Sequence, residues 1–133
     1  MLQLIYASRP FGFDTAMLAG ILMDARRCNA RDDITGMLVC RADLYLQLLE
    51  GPQDKVDATY RRIAQDDRHM DLRMLSRQVV TDRLFPLWSM QDDPARSWLW
   101  SKQDVDAGTL DSAPAADVQA VFHRLATEGL PAA

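Results

Sequence analysis

Leu44-Tyr45-Leu46-Gln47-Leu48-Leu49-Glu50-Gly51-Pro52, read together with Ile34-Thr35-Gly36-Met37-Leu38-Val39-Cys40, decides the fold. Both runs are rich in strand-forming apolar residues, and only Arg41-Ala42-Asp43 separates them, a connection short enough for a β-hairpin. Upstream, Leu2 to Ala7 is a short apolar run broken by Arg9-Pro10, as a first strand leaving toward a loop would be. Between that strand and the hairpin, Leu18, Ile21, Leu22 and Ala25 recur at helical spacing. Asp14 can cap this helix, and its expected end is near Asn29.

Beyond the hairpin, Pro52 breaks the chain, and Val56, Tyr60 and Ile63 fall on one face of a second helix. Asp54 suits its positive end, and it should stop between Asp66 and His69. The interval Leu72 to Thr81 holds a fourth strand, strongest at Gln78-Val79-Val80-Thr81, and Leu87 to Gln91 is a fifth. Strand, helix, two strands, helix and strand, with one strand added, is the order of an α+β, ferredoxin-like fold: a five-stranded mixed sheet with two helices on one face. From Asp92 the texture changes. Asp92-Asp93-Pro94 and the interval Gly108 to Pro114 interrupt a weaker apolar pattern, whereas Val118, Val121, Phe122 and Leu125 form a helical stripe. The expected organisation is a core over residues 1–92 and a helical tail over 93–133, with Trp98 and Trp100 covering the open sheet face.

Composition narrows the function classes. The 133 residues are 48% hydrophobic and 26% charged, enough for one ordinary core. A net charge of −4 argues against nucleic acid or an anionic membrane as the main partner. Ala16 to Met23 is the longest apolar stretch, far short of the roughly 20 residues that span a bilayer. The first residues carry no secretory pattern, so a cytoplasmic location is the default expectation. Cys28 and Cys40 are the only cysteines and read as two small buried thiols, with no metal-ligand spacing. HExxH, GxSxG, GxGxxG and P-loop patterns are absent.

Three polar residues then ask for partners. Gln47 lies inside an apolar strand, and an unsatisfied buried amide costs roughly 1–3 kcal/mol. Tyr6 poses the same question on the first strand, the neighbour of the Gln47 strand in this topology, and Asn29 adds a third group at the helix end. Taken singly, each reads as an ordinary surface or capping residue. Their surroundings change that: Leu4-Ile5-Tyr6-Ala7-Ser8, Asn29-Ala30-Arg31-Asp32-Asp33-Ile34-Thr35-Gly36, Leu46-Gln47-Leu48-Leu49-Glu50-Gly51-Pro52, Asp66-Asp67-Arg68-His69 and Phe85-Pro86-Leu87-Trp88-Ser89-Met90. Together these motifs, from Met1 to about Asp92, resemble the BLUF family of flavin-based blue-light sensors.

The resemblance implies FAD held non-covalently between the two helices. It places the light-active tyrosine on Tyr6, the switching glutamine on Gln47, the flavin-contacting asparagine on Asn29, and the tryptophan and methionine of the last strand on Trp88 and Met90. Ile21 and Ala25 would line the ring, and Arg62, Asp66, Arg68 and His69 would hold the ribityl-phosphate part. Two positions depart from the family: Ala25 stands where many members carry serine, and Asp33 where glycine is usual before Ile34. The implied function is photosensing without a catalytic output domain, the signal leaving by self-association or through a separate protein. Two other readings compete: a small acylphosphatase-like enzyme, for which Arg9-Pro10-Phe11-Gly12 is a poor phosphate loop, and a flavin-binding interaction module that ignores light.

Overall fold

The computed structural model describes residues 1–10, 15–66, 69–86, 90–94 and 99–128. Four long strands, β1 (Leu2–Pro10), β2 (Thr35–Arg41), β3 (Leu44–Gly51) and β4 (His69–Val79), are antiparallel to their neighbours. A four-residue strand, β5 (Gln91–Pro94), runs parallel to β2, so the sheet order is β4-β1-β3-β2-β5. The helices are α1 (Thr15–Asp32), α2 (Gln53–Ala64), α3 (Lys102–Asp106) and α4 (Ala115–Thr127).

Side chains alternate across a strand, and here both faces are covered. Leu4 and Tyr6 of β1, Leu38 of β2 and Tyr45 and Leu49 of β3 pack with Ile21 and Leu22 of α1 and Val56 of α2. Their neighbours Ile5, Ala7, Met37, Val39, Leu46 and Leu48 point the other way, against Val105 of α3 and Val118, Phe122 and Leu125 of α4. Every residue of β3 is buried in consequence. The C-terminal segment is therefore a third layer on the sheet, and a side-chain bond from Gln119 Nε2 to Ser76 Oγ (2.8 Å) joins α4 to β4.

Several boundaries differ from the sequence expectation. Helix α1 continues three residues past Asn29, because that residue is buried in the helix and Asp33 makes the reversal with a left-handed φ of 58°. Asp tolerates that conformation better than most residues, though glycine adopts it without strain. The cap expected at Asp14 lies outside the described residues. Helix α2 stops at Ala64, earlier than the Asp66 to His69 interval. Strand β4 starts at His69 and ends at Val79, so Val80 and Thr81 are not strand. Its long pairing with β1 carries it through residues whose composition is not β-rich. The fifth strand was expected at Leu87 to Gln91, but residues 87–89 lie outside the described ones and β5 begins only at Gln91. Trp98 also lies outside them, whereas Trp100 packs against the α3 and α4 side of the sheet. No helix among the described residues is long and apolar enough to cross a membrane.

A buried carboxylate ties β3 to the segment ahead of β5. Glu50 is fully buried on the α4 side, and its oxygens accept from the backbone amides of Leu84 (2.9 Å) and Phe85 (2.6 Å). Arg83 donates to the Glu50 carbonyl (3.1 Å), to Thr35 Oγ1 (2.9 Å) and to the Asp33 carbonyl (2.7 Å). Glu50→Ala strips two amides of their acceptor and should destabilise the fold by roughly 3 kcal/mol. Glu50→Gln keeps an acceptor and should lose much less. Urea titration checks this, with the midpoint moving and the slope unchanged.

Candidate functional site

Tyr6 and Gln47 are direct partners in the β1–β3 register, so their side chains leave the sheet side by side on the face toward α1 and α2. Tyr6 is fully buried and Gln47 is 3% exposed. The Tyr6 hydroxyl donates to Gln47 Oε1, and Gln47 Nε2 donates to the sulfur of Met90 at 3.2 Å. The carbonyl end of the amide is thus given to the phenol and the amine end to a thioether. Burial pushes the Tyr6 phenol far above its ordinary pKa, helped by the nearby Tyr60, Asp66 and Tyr45, so the hydroxyl keeps its proton.

Met90 is held from both sides. Arg26 of α1 donates to its carbonyl at 3.0 Å, and its methyl lies 3.3 Å from where a Cβ on Gly36 would stand. That imaginary Cβ would also collide with the Leu48 carbonyl, so only glycine lets β2 and β3 approach so closely at this point.

In front of Gln47 a cleft of about 160 Å³ opens between α1 and α2, smaller than the roughly 300–1,000 Å³ usual for small-molecule sites. Ile21, Ala25, Leu49 and Ile63 give it apolar walls. Asn29, Gln47 and Thr59 bring polar groups to its buried end, while Asp24, Arg27, Arg62 and Asp66 stand around its mouth. His69 also lines it. That ring shares a hydrogen bond with Ser8 Oγ (2.8 Å) through Nδ1 and stacks edge-on against Tyr45, 5.3 Å between centroids.

The structure thus brings Ile21, Ala25, Asn29, Gln47, Arg62, Asp66 and His69 to one cleft, as the sequence reading has them. Tyr6 is placed differently: it is not among the lining residues and reaches the cleft through the Gln47 amide. Its ring is enclosed by neighbours, with Tyr60 edge-on at 5.6 Å, so a polar route outward passes through its hydrogen-bond partner. Met90 adjoins Gln47, whereas Trp88 and Arg68 lie outside the described residues. Cys40 is buried as expected, but Cys28 is only partly buried and lines the cleft, because α1 turns it toward α2.

Thr59, Asp24, Arg27, Leu49 and Ile63, like Cys28, are lining residues that the sequence reading missed. Thr59 carried a usable signal, since it lies three residues after Val56 on the buried stripe of α2, as polar an intrusion there as Gln47 is on β3. Arg9, the arginine of the phosphate loop in the acylphosphatase alternative, pairs with Asp71 (3.5 Å) and Asp106 (3.7 Å).

An apolar slot with polar groups at its closed end and charges at its mouth suits a flat heteroaromatic ring with a charged tail. Residues 1–91 match the BLUF family, described as sensors of blue-light using FAD, and the chain belongs to that family. It is 41% identical over 69 residues to the photoactivated adenylate cyclase subunit beta of Euglena gracilis, covering 52% of this chain and 8% of that protein. It is 44% identical over 48 residues to the blue light- and temperature-regulated antirepressor BluF of Escherichia coli (strain K12), covering 36% of this chain and 12% of that one. The matched region is therefore a small part of these curated relatives. Among solved structures, the dark-state structure of the BLUF protein BlrB superposes with a TM-score of 0.75 at 28% identity, covering 96% of each chain.

Proposed function

We propose that this chain is a blue-light photoreceptor that signals by reorienting one amide, with residues 1–92 as the ferredoxin-like sensor core and 93–133 as the segment that carries the signal onward. The observation that carries this reading is the hydrogen-bonded series Tyr6, Gln47, Met90, whose central residue Gln47 lines the cleft. Ile21 and Ala25 flank the ring of FAD on this reading, and Asn29 and Gln47 meet its polar edge. Arg62, Asp66, His69 and, by the family resemblance, Arg68 hold the ribityl-phosphate part. FAD supplies absorption of blue light and, when excited, a strong acceptor for one electron.

Tyr6 is the donor. Its phenol is neutral in the dark, and losing an electron makes its proton strongly acidic, so the proton moves along the bond to Gln47 Oε1. The amide then rearranges, exchanging the group it presents toward the cleft, and the electron and proton return to Tyr6. No net chemistry remains. What persists is the altered hydrogen bonding, which moves the absorption band to the red.

Met90 reads the change. A thioether is a weak acceptor, so its bond to Nε2 yields easily, and a carbonyl oxygen turned toward the sulfur would set two acceptors against one another. Displaced, Met90 pulls on the segment that continues into β5 beside β2. Trp88, close to it in sequence, is the second candidate for that exchange. The output is a homo-oligomeric contact or a separate protein partner, with no nucleic acid or membrane contact and no reaction catalysed by this chain. The antirepressor BluF supports an output directed at another protein, and the similarity to BlrB over 96% of each chain supports a sensor built on this fold.

An absorption spectrum of the purified protein before and after blue light tests the reading. A yellow protein whose flavin bands shift reversibly to the red is the expected result, together with a light-dependent elution volume or pull-down. A colourless protein, or a yellow one indifferent to light, contradicts it.

A further inference from the structure

Helix α2 buries two residues against the sheet, Val56 and Thr59. Valine and threonine have nearly the same shape, so packing alone would be served by a second valine at Thr59. The threonine instead carries a buried hydroxyl, the residue being 2% exposed, and Oγ1 makes no hydrogen bond to any described residue. A helical threonine usually satisfies itself on the carbonyl one turn back, and Thr59 does not. Buried hydroxyls without partners are rare and call for one.

Thr59 lines the cleft together with Asn29 and Gln47. Its position along α2 fixes which part of a ligand it meets. Of the α2 lining residues, Arg62 is exposed, Ile63 partly buried and Thr59 buried, so the hydroxyl stands at the closed end, away from the charges at the mouth.

We infer that Thr59 is a further ligand-binding residue, its hydroxyl hydrogen-bonding the isoalloxazine ring of the flavin. This rests on the proposal that flavin occupies the cleft. The two can fail separately. One hydrogen bond of this kind gives about a fivefold difference in affinity.

The test compares the wild type with Thr59→Val and Thr59→Ser, titrating flavin-free full-length chain with riboflavin, FMN and FAD and following fluorescence quenching. Thr59→Val should raise the Kd about fivefold, equally for all three flavins because they share the ring. Thr59→Ser should restore it. Melting of the flavin-free chain supplies the second readout: Thr59→Val should melt at or above the wild-type temperature, since it removes an unsatisfied buried hydroxyl. A role confined to folding would lower that temperature instead. Unchanged affinity, a loss seen for FAD alone, or a flavin-free Thr59→Val chain that melts lower overturns the assignment of Thr59. A wild-type chain that binds none of the three flavins overturns the cleft reading itself.

Discussion

Tyr6→Phe should leave FAD bound and abolish the reversible red shift under blue light. The ring is retained and Tyr6 is not a lining residue, so the cleft keeps its shape. The hydroxyl goes, and with it the donor to Gln47 Oε1 and the proton that must accompany the electron. Its removal leaves a buried amide oxygen without that donor, so the variant should also be less stable by roughly 1–3 kcal/mol. The dark absorption band should remain close to wild type while the light-minus-dark signal falls to nothing. An intact photocycle in this variant removes Tyr6 from the mechanism.

The same phenol gives a pH signature. Its folded-state pKa is raised, first by burial and then by Tyr60, Asp66 and Tyr45. An unfolded tyrosine ionises near 10, so this contribution to stability is complete below about pH 10 and is lost as the pH rises toward the folded value. Wild-type protein should therefore lose stability steeply in alkali, and Tyr6→Phe should lose it less steeply.

Gln47→Leu should be equally silent for a different reason. Leucine approximates the volume of glutamine in a strand whose every residue is buried, so the sheet survives. Both bonds of the amide vanish, leaving the Tyr6 hydroxyl buried without its acceptor and the Met90 sulfur without its donor. Flavin should bind, because Gln47 is one of several lining residues, but no light-induced shift should form. If the shift persists with leucine at this position, the amide is not the switching element.

One rearranged hydrogen bond is worth about 1 kcal/mol, a several-fold change in population, so the contacts that follow it set the size of the response. Three of them converge on one segment: the Arg26 bond to the Met90 carbonyl, the Gln47 bond to its sulfur, and the Glu50 carboxylate on the amides of Leu84 and Phe85. Met90 lies on the α1 and α2 side of the sheet and Phe85 on the α4 side. On the proposed reading, a displacement of Met90 would reach α4 through this segment.

Much of this was legible in the sequence because local chemistry and topology agree. The hairpin of β2 and β3 follows from two apolar runs and a short link, and Tyr6 beside Gln47 follows from placing β1 next to β3. The family resemblance put Ile21 and Ala25 at the cleft, whereas Ile63, read only as part of the apolar stripe of α2, lines it as well. What was misread depends on distant partners. Residues 69–76 are strand because β1 offers an edge, not because their composition favours it, and the position of β5 is set by pairing with β2. The completely buried character of β3 arises from α4, some seventy residues onward, which explains why its apolar run lacks the simple alternation of a one-sided sheet. Thr59 escaped notice because a stripe read only for apolar residues passes over the polar one among them.

The orientation of the Gln47 side chain is the quantity on which the account turns. Nitrogen-15 labelling of glutamine, with the side-chain amide resonances recorded in darkness and under continuous blue light, reads it directly. The account predicts that the Gln47 Nε2 resonance moves with the flavin absorption shift and returns with it, whereas Gln3 and Gln119, bonded elsewhere at Gln78 and Ser76, stay in place. A full flavin shift with the Gln47 resonance unmoved would contradict it.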